Sequence, residues 1–247
     1  MSESRPTRPP RRGLALRDEA EAGSGQPAIQ LEGLERRYGD RTALTGVTVS
    51  VPAGATLAVF GATGAGKTTL LRVLAALLRP HAGTATVLGG SLPGDAWKVR
   101  GRVGYLGHEP LLYRDLTVTE NLLFHARLHG VAREKVEQAI AAVGLERRAN
   151  DPLRDLSRGM VQRAAVARTV LHDPEVLLLD EPRAGLDPGA AEALEPLIGR
   201  GSGRTRVVVS HDVEGALAEA DLALGLKGGH QVFAGRAEPD QVRELYA

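Results

Sequence analysis

Short apolar runs alternate with longer helical patterns along most of this 247-residue chain. A Leu-rich pattern over 67–78 predicts the first helix, which Pro80 then ends because proline cannot continue a helix. The spacing over 119–143 predicts helical structure broken at Gly130, and another long helix is expected after Ser157. The predicted strands lie at 29–31, 47–51, 56–60, 84–88, 103–106, 176–179 and 207–209. This alternation favours an α/β fold with a mainly parallel core sheet covered on both faces.

Composition narrows the possible functions. The formal charge is only +1 and no cysteine is present, so we expect no nucleic-acid partner, and disulfides and thiolate metal sites are excluded. The apolar runs fall far short of the roughly 20 residues that span a bilayer. If the protein serves a membrane, we expect it to do so from the surface, through a partner.

The first 27 residues differ from the rest. They are rich in arginine and proline and end in a polar Gly-Ser stretch, which predicts a disordered arm over residues 1–27 before a domain over 28–247. A basic patch that touches anionic lipid or RNA is the alternative interpretation of this arm.

A glycine-rich segment follows the predicted strand at 56–60. It reads Gly61-Ala62-Thr63-Gly64-Ala65-Gly66-Lys67-Thr68-Thr69 and contains the phosphate-loop pattern GxxxxGK[ST]. Glycines let backbone N–H groups curve around phosphates, and the helix that starts beyond the loop adds a favourable dipole. Lys67 is expected to bridge the β- and γ-phosphates and the Thr68 hydroxyl to ligate Mg²⁺. An incidental glycine-rich turn would need neither the strand before it nor the helix after it.

An acidic pair follows the apolar run at 176–179. Asp180 ends a predicted buried strand, which suits a carboxylate delivered to Mg²⁺. Glu181 comes next, projects differently and is expected to polarise the attacking water. An apolar run before Asp-Glu is often only a strand that meets solvent. The phosphate loop upstream favours the catalytic interpretation.

These motifs, with three further segments, resemble the ABC ATPase family over about residues 28–236. The stretch Leu156-Ser157-Arg158-Gly159-Met160 resembles the family's signature sequence, and Ala184-Gly185-Leu186-Asp187 resembles its D-loop. His211 resembles the switch histidine that contacts the γ-phosphate. Tyr38 stands where the family places an aromatic ring on adenine. All of these motifs occur in the family's order.

The resemblance implies a P-loop NTPase with an ABC-type nucleotide-binding domain. Its parts would be a mainly parallel core sheet, an antiparallel β subdomain and a helical subdomain over about 107–160. It also implies ATP and Mg²⁺ as cofactors, ATP hydrolysis, and catalytic roles for Lys67, Glu181 and His211. The expected location is peripheral, on the cytoplasmic face of the cell membrane, with integral membrane ABC subunits as partners.

The signature also implies a second nucleotide-binding subunit. Ser157 and the N–H of Gly159 stand at the start of a helix, where they form an anion site. The resemblance implies a head-to-tail dimer in which each ATP lies between one chain's phosphate loop and the other chain's signature.

Four positions depart from the family pattern. Arg158 and Met160 replace the usual glycine and glutamine of the signature, and Arg183 replaces a common threonine, where we expect a surface charge at the dimer seam. His108 occupies the slot of a glutamine that touches Mg²⁺ and water and relays motion to the membrane subunit. Histidine can donate a hydrogen bond as glutamine does, so we expect His108 to bind at the site and couple nucleotide state to the partner.

The segment Tyr105-Leu106-Gly107-His108-Glu109-Pro110 and the signature are most similar to those of the haem-exporter ATPases of cytochrome c maturation. Drug and polysaccharide exporter ATPases share much of this sequence and remain an alternative. A soluble ATPase of iron–sulfur assembly is another, and co-purification with membrane subunits would discriminate it. A DNA-repair ATPase would carry a long coiled coil between the phosphate loop and the signature, and a translation factor would carry two cassettes. This sequence shows no sustained heptads in that interval and one cassette, which disfavours both classes.

Apolar positions at helical spacing predict the core of the helical subdomain. We expect core positions chiefly at Leu122, Phe124, Leu128, Val136 and Ile140. Candidates for contact with a membrane subunit are Trp97, Leu111, Leu112 and Tyr113, and for the last three ordinary packing is an equal expectation.

Overall fold

The computed structural model describes residues 26–246, so the arm predicted over 1–27 lies almost wholly outside the described residues. Ten strands hydrogen-bond in the order β5-β4-β1-β2-β10-β9-β3-β8-β7-β6. They are β1 (Ile29–Tyr38), β2 (Arg41–Val51), β3 (Thr56–Phe60), β4 (Ala82–Val87), β5 (Gly90–Ser91), β6 (Val103–Leu106), β7 (Val176–Asp180), β8 (Thr205–Val209), β9 (Leu222–Lys227) and β10 (His230–Gly235).

The core sheet is mainly parallel, as the sequence predicts. Strands β9, β3, β8, β7 and β6 pair in parallel, and β10 adds an antiparallel edge to β9. Every residue of β3, β7 and β8 is buried, because helices or other strands cover both faces of this part of the sheet. Along β7, Leu178 faces one core cluster and Leu179 faces the other.

The antiparallel β subdomain forms around a long hairpin. Strand β1 pairs with β2 along one edge and with β4 along the other, and β5 extends β4. A single parallel bridge between His230 and Thr45 joins this subdomain to the core sheet. The start of β2 approaches the phosphate loop, because Arg41 lies beside Gly64 and the carbonyl of Ala43 lies beside Gly66.

Eight α-helices are present in the described part of the chain. They are α1 (Lys67–Leu74), α2 (Ala96–Arg100), α3 (Val118–His129), α4 (Arg133–Ala142), α5 (Arg158–Val170), α6 (Pro188–Ile198), α7 (Val213–Glu219) and α8 (Pro239–Arg243). Thr117 and Glu120 form a capping box at the start of α3, and Gly130 ends that helix in a left-handed conformation. Among residues 26–246, no helix combines the length and apolar composition needed to cross a bilayer.

Two expectations from periodicity are wrong. Helix α1 ends at Leu74 instead of continuing to 78, because Ala76 adopts a φ of +55° and the N–H groups of Leu77 and Leu78 both donate to the carbonyl of Arg72. On α3, Leu122 is buried, but Phe124 is 38% and Leu128 is 66% exposed. These two residues form an apolar surface instead of core.

Candidate active site

The carboxyl ends of neighbouring parallel strands deliver the predicted site residues to one cleft. Strand β3 leads into the phosphate loop, β7 ends at Asp180, and β8 leads to His211. In the order β3-β8-β7, these ends lie at the same edge of the sheet. A cavity of about 510 Å³ opens there and is lined by Tyr38, Arg41, Ala43, Thr63, Gly64, Gly66, Lys67, Thr68, Thr69, His108, Asp180, Glu181, Val209 and His211.

The phosphate loop needs glycine at its two ends. A Cβ on Gly61 would lie 2.2 Å from the carbonyl oxygen of Leu226, and one on Gly66 would lie 2.4 Å from that of Ala43. Both glycines have positive φ, at +144° and +106°. The backbone therefore passes closer to neighbouring strands than any side chain would allow.

Lys67 lies nearly buried inside this loop. Its Nζ donates to the carbonyls of Gly61 at 2.5 Å and Ala62 at 3.1 Å. Burial lowers the pKa of the Lys67 ammonium, while the negative charges of Asp180 and Glu181 oppose that shift. The loop thus presents a positive charge, backbone N–H groups and the start of α1 to the cleft, which suits phosphate.

A hydroxyl and a carboxylate lie side by side in the cleft. The hydroxyl of Thr68, in the first turn of α1, donates to Oδ2 of Asp180 at 2.8 Å. Asp180 is the buried last residue of β7. A hydroxyl and a carboxylate are hard oxygen donors, so this pair fits the preference of Mg²⁺.

Glu181 adopts an uncommon backbone conformation directly after β7, with a φ of +54°. Its N–H donates to the carbonyl of Val209, and its Oε2 accepts from the N–H of His211 at 3.3 Å. The other oxygen, Oε1, lies 3.4 Å from Nε2 of His211. Burial raises the pKa of the Glu181 carboxyl, and the nearby His211 opposes that shift. A carboxylate that is more basic than usual is suited to accept a proton from water.

The end of β1 and the start of β2 supply an aromatic ring and a cation to the cleft. Tyr38 is exposed, and the guanidinium of Arg36 lies 4.9 Å from its ring centre, so the cation covers one face of the ring. Arg41 pairs with Tyr38 in the hairpin and lines the cleft, but the sequence predictions did not include it. The turn residues Gly39 and Asp40 between β-type runs are the signal that could have placed Arg41 beside Tyr38.

The structure places Ser157 and Gly159 outside the residues that line this cleft. Ser157 caps α5 by accepting from the N–H of Met160 at 3.3 Å. At Gly159 a Cβ would lie 3.1 Å from the carbonyl oxygen of Gly185, so the signature packs closely against the D-loop. Within the phosphate loop, Gly61, Ala62 and Ala65 support the cleft without lining it.

The structure places two of the residues that differ from the family pattern, His108 and Arg183. His108 follows β6 and lines the cleft with Asp180 and Glu181. Arg183 forms ion pairs with Glu195 on α6 and Glu219 on α7. The guanidinium therefore ties the loop after β7 to two helices within the same chain.

Comparison with known proteins agrees with this geometry. A family model described as ABC transporter matches residues 44–184. The Nod factor export ATP-binding protein I of Ralstonia nicotianae is 37% identical over 218 residues, which cover 85% of this chain and 67% of that protein. A daunorubicin resistance ATP-binding protein of Streptomyces coeruleorubidus is 37% identical over 217 residues, which cover 85% of this chain and 69% of that protein.

A solved structure gives the same fold. It is a dimeric ATP-binding cassette in a post-hydrolysis state bound to ADP and Pi, with a TM-score of 0.75 and 25% sequence identity over 85% of this chain and 99% of that chain. The arrangement of the phosphate loop, Asp180 and Glu181 on a mainly parallel sheet is thus that of an ABC ATPase domain. The chain belongs to the ABC transporter family, as an ATP-binding subunit that hydrolyses ATP.

Proposed function

We propose that this chain powers an ABC exporter from the cytoplasmic face of the membrane, as a peripheral subunit bound to separate membrane subunits. The observation that carries this proposal is the cleft in which Lys67, Asp180, Glu181 and His211 meet beside Tyr38. The similarity of the chain to ATP-binding proteins named for Nod factor export and daunorubicin resistance supports export as the direction of transport.

In this proposal the ATP phosphates lie in the loop from Gly61 to Thr69. The ammonium of Lys67 turns from the loop carbonyls to the β- and γ-phosphates, and Tyr38 offers its open face to the adenine. Thr68 and Asp180 would hold Mg²⁺, which neutralises charge on the phosphate oxygens when bound.

Glu181 is proposed as the general base. Its half-buried carboxylate accepts a proton from the water that attacks the γ-phosphate, and ADP and phosphate are the products. His211 keeps this carboxylate in place through its backbone N–H, and its exposed imidazole is available to donate to the γ-phosphate.

A second chain is proposed to complete each ATP site. Ser157 and Gly159 present the N-terminus of α5 but do not line the cleft of their own chain. A head-to-tail partner would bring that anion site to the γ-phosphate. Glu181→Gln with ATP should then run as a dimer in light scattering, and Ser157→Arg in the same background should remain a monomer. A dimer that persists with Ser157→Arg would contradict the shared site.

An apolar surface beside His108 is proposed to contact the membrane subunit. Leu111, Tyr113, Phe124 and Leu128 are exposed, and the rings of Tyr113 and Phe124 stack edge to face at 5.3 Å. His108 would pass the nucleotide state to this surface. If His108→Gln and His108→Ala both kept full substrate-coupled ATPase in the assembled complex, His108 would have no coupling role.

The cargo is proposed to be a drug-like or oligosaccharide-containing molecule. The relatives carry names that record Nod factor export and daunorubicin resistance, and these names favour such cargo over haem. Haem export stays a prediction from the sequence around His108 and the signature.

Co-expression with the adjacent open reading frames tests the exporter proposal. Detergent pull-down of this chain should capture integral membrane subunits, and a soluble scaffold in their place would contradict the proposal. Leu128→Ser should lower the capture, whereas Val232→Ser, on the equally solvent-facing β10, should not. Stimulation of the ATPase activity of the purified complex by haem, but not by an anthracycline or a lipo-oligosaccharide, would contradict the proposed cargo and favour haem.

A further inference from the structure

A second cavity lies next to the loop that follows β7. It has a volume of about 250 Å³, and its walls come from the ends of β7 and β8, from the loop at 181–187, and from α6 and α7. Apolar side chains form much of the wall, among them Leu179, Leu186, Leu194, Ile198 and Val208. Glu181 lines both this cavity and the nucleotide cleft, so one residue connects the two spaces.

A buried arginine on the central strand β8 supplies this cavity with unused hydrogen-bond donors. Arg206 is only 1% exposed and lines the cavity. Its Nη2 donates to Oε2 of Glu219 on α7 at 2.7 Å. Its Nε and Nη1 are buried, and neither has an acceptor among residues 26–246. Buried donors of a charged group are costly to leave unpaired, so the site calls for an acceptor.

The charges around the cavity identify the kind of acceptor. Glu219 accepts from both Arg206 and Arg183, and Arg183 also donates to Glu195. Two guanidiniums therefore face two carboxylates, and the carboxylates of Glu181 and Asp212 also line the wall. The negative charges around the cavity exceed the positive ones and would repel an anionic ligand. A neutral molecule with an oxygen acceptor carries no net charge and would not be repelled.

We propose that this cavity binds a small neutral molecule with an apolar body and one carbonyl oxygen. The carbonyl oxygen would accept from one of these two donors of Arg206, because the Nε–H and the N–H groups of Nη1 point to different sides of the planar guanidinium. The apolar body would contact the wall formed by Leu194, Ile198 and Val208. Apolar walls with one or two placed polar groups are the usual features of small-molecule sites.

The position of the site gives the ligand a route to ATP hydrolysis. Pro182, Arg183, Ala184 and Leu186 line the cavity, and they belong to the loop that holds Glu181 and packs against the signature at Gly159. A bound molecule would restrict this loop. The site would thus regulate the ATPase from within one chain, outside the nucleotide cleft.

A matched pair of probes tests the binding site without relying on hydrolysis. Acetophenone and α-methylstyrene have nearly the same shape, but only acetophenone carries a carbonyl oxygen. We expect acetophenone to shift the methyl NMR signals of Leu186, Leu194, Ile198 and Val208 in the full chain, with a Kd on the order of 1 mM. We expect α-methylstyrene to bind about tenfold more weakly, because it leaves the donors of Arg206 unpaired.

Three variants separate recognition from a general effect on folding. Arg206→Met should abolish the preference for acetophenone, and its melting temperature shows whether it folds. Ala191→Leu, which fills the cavity from α6, should prevent both probes from binding. Ala193→Leu lies on the same helix but is exposed, so it should bind both probes as the unmodified chain does.

Two results would overturn the proposal. One is the absence of saturable shifts at these methyl groups with either probe, which would leave the cavity to solvent. The other is equal binding of the two probes to the unmodified chain, or binding that survives Ala191→Leu, because Arg206 or the cavity would then not recognise the ligand.

Discussion

Gly66→Ala tests the physical basis of the phosphate loop. Gly66 has a φ of +106°, and an added Cβ would lie 2.4 Å from the carbonyl oxygen of Ala43 and 2.8 Å from Cδ2 of Leu44. The backbone conformation alone costs an L-residue about 1–2 kcal/mol. The contact with Ala43 involves backbone, which cannot rotate away, so the loop itself must move and carry Lys67 with it. We expect ATP affinity to fall about tenfold or more, because misplaced donors lose their phosphate contacts.

Gly130→Ala is the matched control for that substitution. Gly130 also has positive φ, at +66°, but an added Cβ would meet nothing within 4 Å, and the residue ends α3 outside the cleft. Gly130→Ala should lose about 1–2 kcal/mol of unfolding free energy in urea, and Gly66→Ala at least as much because of its added contact with Ala43. Only Gly66→Ala should weaken binding of a fluorescent ATP analogue. Normal ATP binding by Gly66→Ala, or an equal loss of ATP affinity in both variants, would show that the shape of the loop does not set the affinity.

Three further predictions concern the base, the surface and the metal ligands. Burial raises the pKa of Glu181 above the value of about 4.3 for an ordinary glutamate, and the base must be unprotonated to accept a proton. The kcat should therefore fall as the pH is lowered through this raised pKa, and a kcat that stays constant down to the pH of unfolding would contradict this. Leu128→Ser should change the unfolding free energy by less than about 0.5 kcal/mol, whereas Leu122→Ala should cost about 2–5 kcal/mol in urea titrations. Asp180→Asn should raise the Mg²⁺ concentration needed for half-maximal ATPase activity by about tenfold or more, and an unchanged requirement would remove Asp180 from the metal site.

Local chemistry explains why much of the site was predictable. A run of buried apolar residues that ends in Asp180 leaves few structures except a central parallel strand, and the glycines before Lys67 leave few structures except a phosphate loop. Strands β7 and β8 are consecutive in the chain and adjacent in the sheet, and their parallel pairing brings His211 to the same edge as Asp180.

Other features depend on contacts that a single sequence does not encode locally. The spacing of Leu122 and Leu128 is equally compatible with core, but neighbouring helices cover only Leu122, and the outer face of α3 remains exposed. The end of α1 is set by the left-handed Ala76, a conformation that the Leu-rich pattern gives no reason to expect. The pairing of buried Arg206 with Glu219 likewise joins β8 to α7 through tertiary structure.

The proposed role of Glu181 as the base for ATP hydrolysis is tested by the rate of hydrolysis in Glu181→Gln, relative to the unmodified chain and normalised to bound nucleotide. We expect the rate to fall about a hundredfold or more with ATP still bound, since loss of a general base typically removes that much of the rate. An unchanged rate in Glu181→Gln, with ATP bound equally well, would show that Glu181 is not the base.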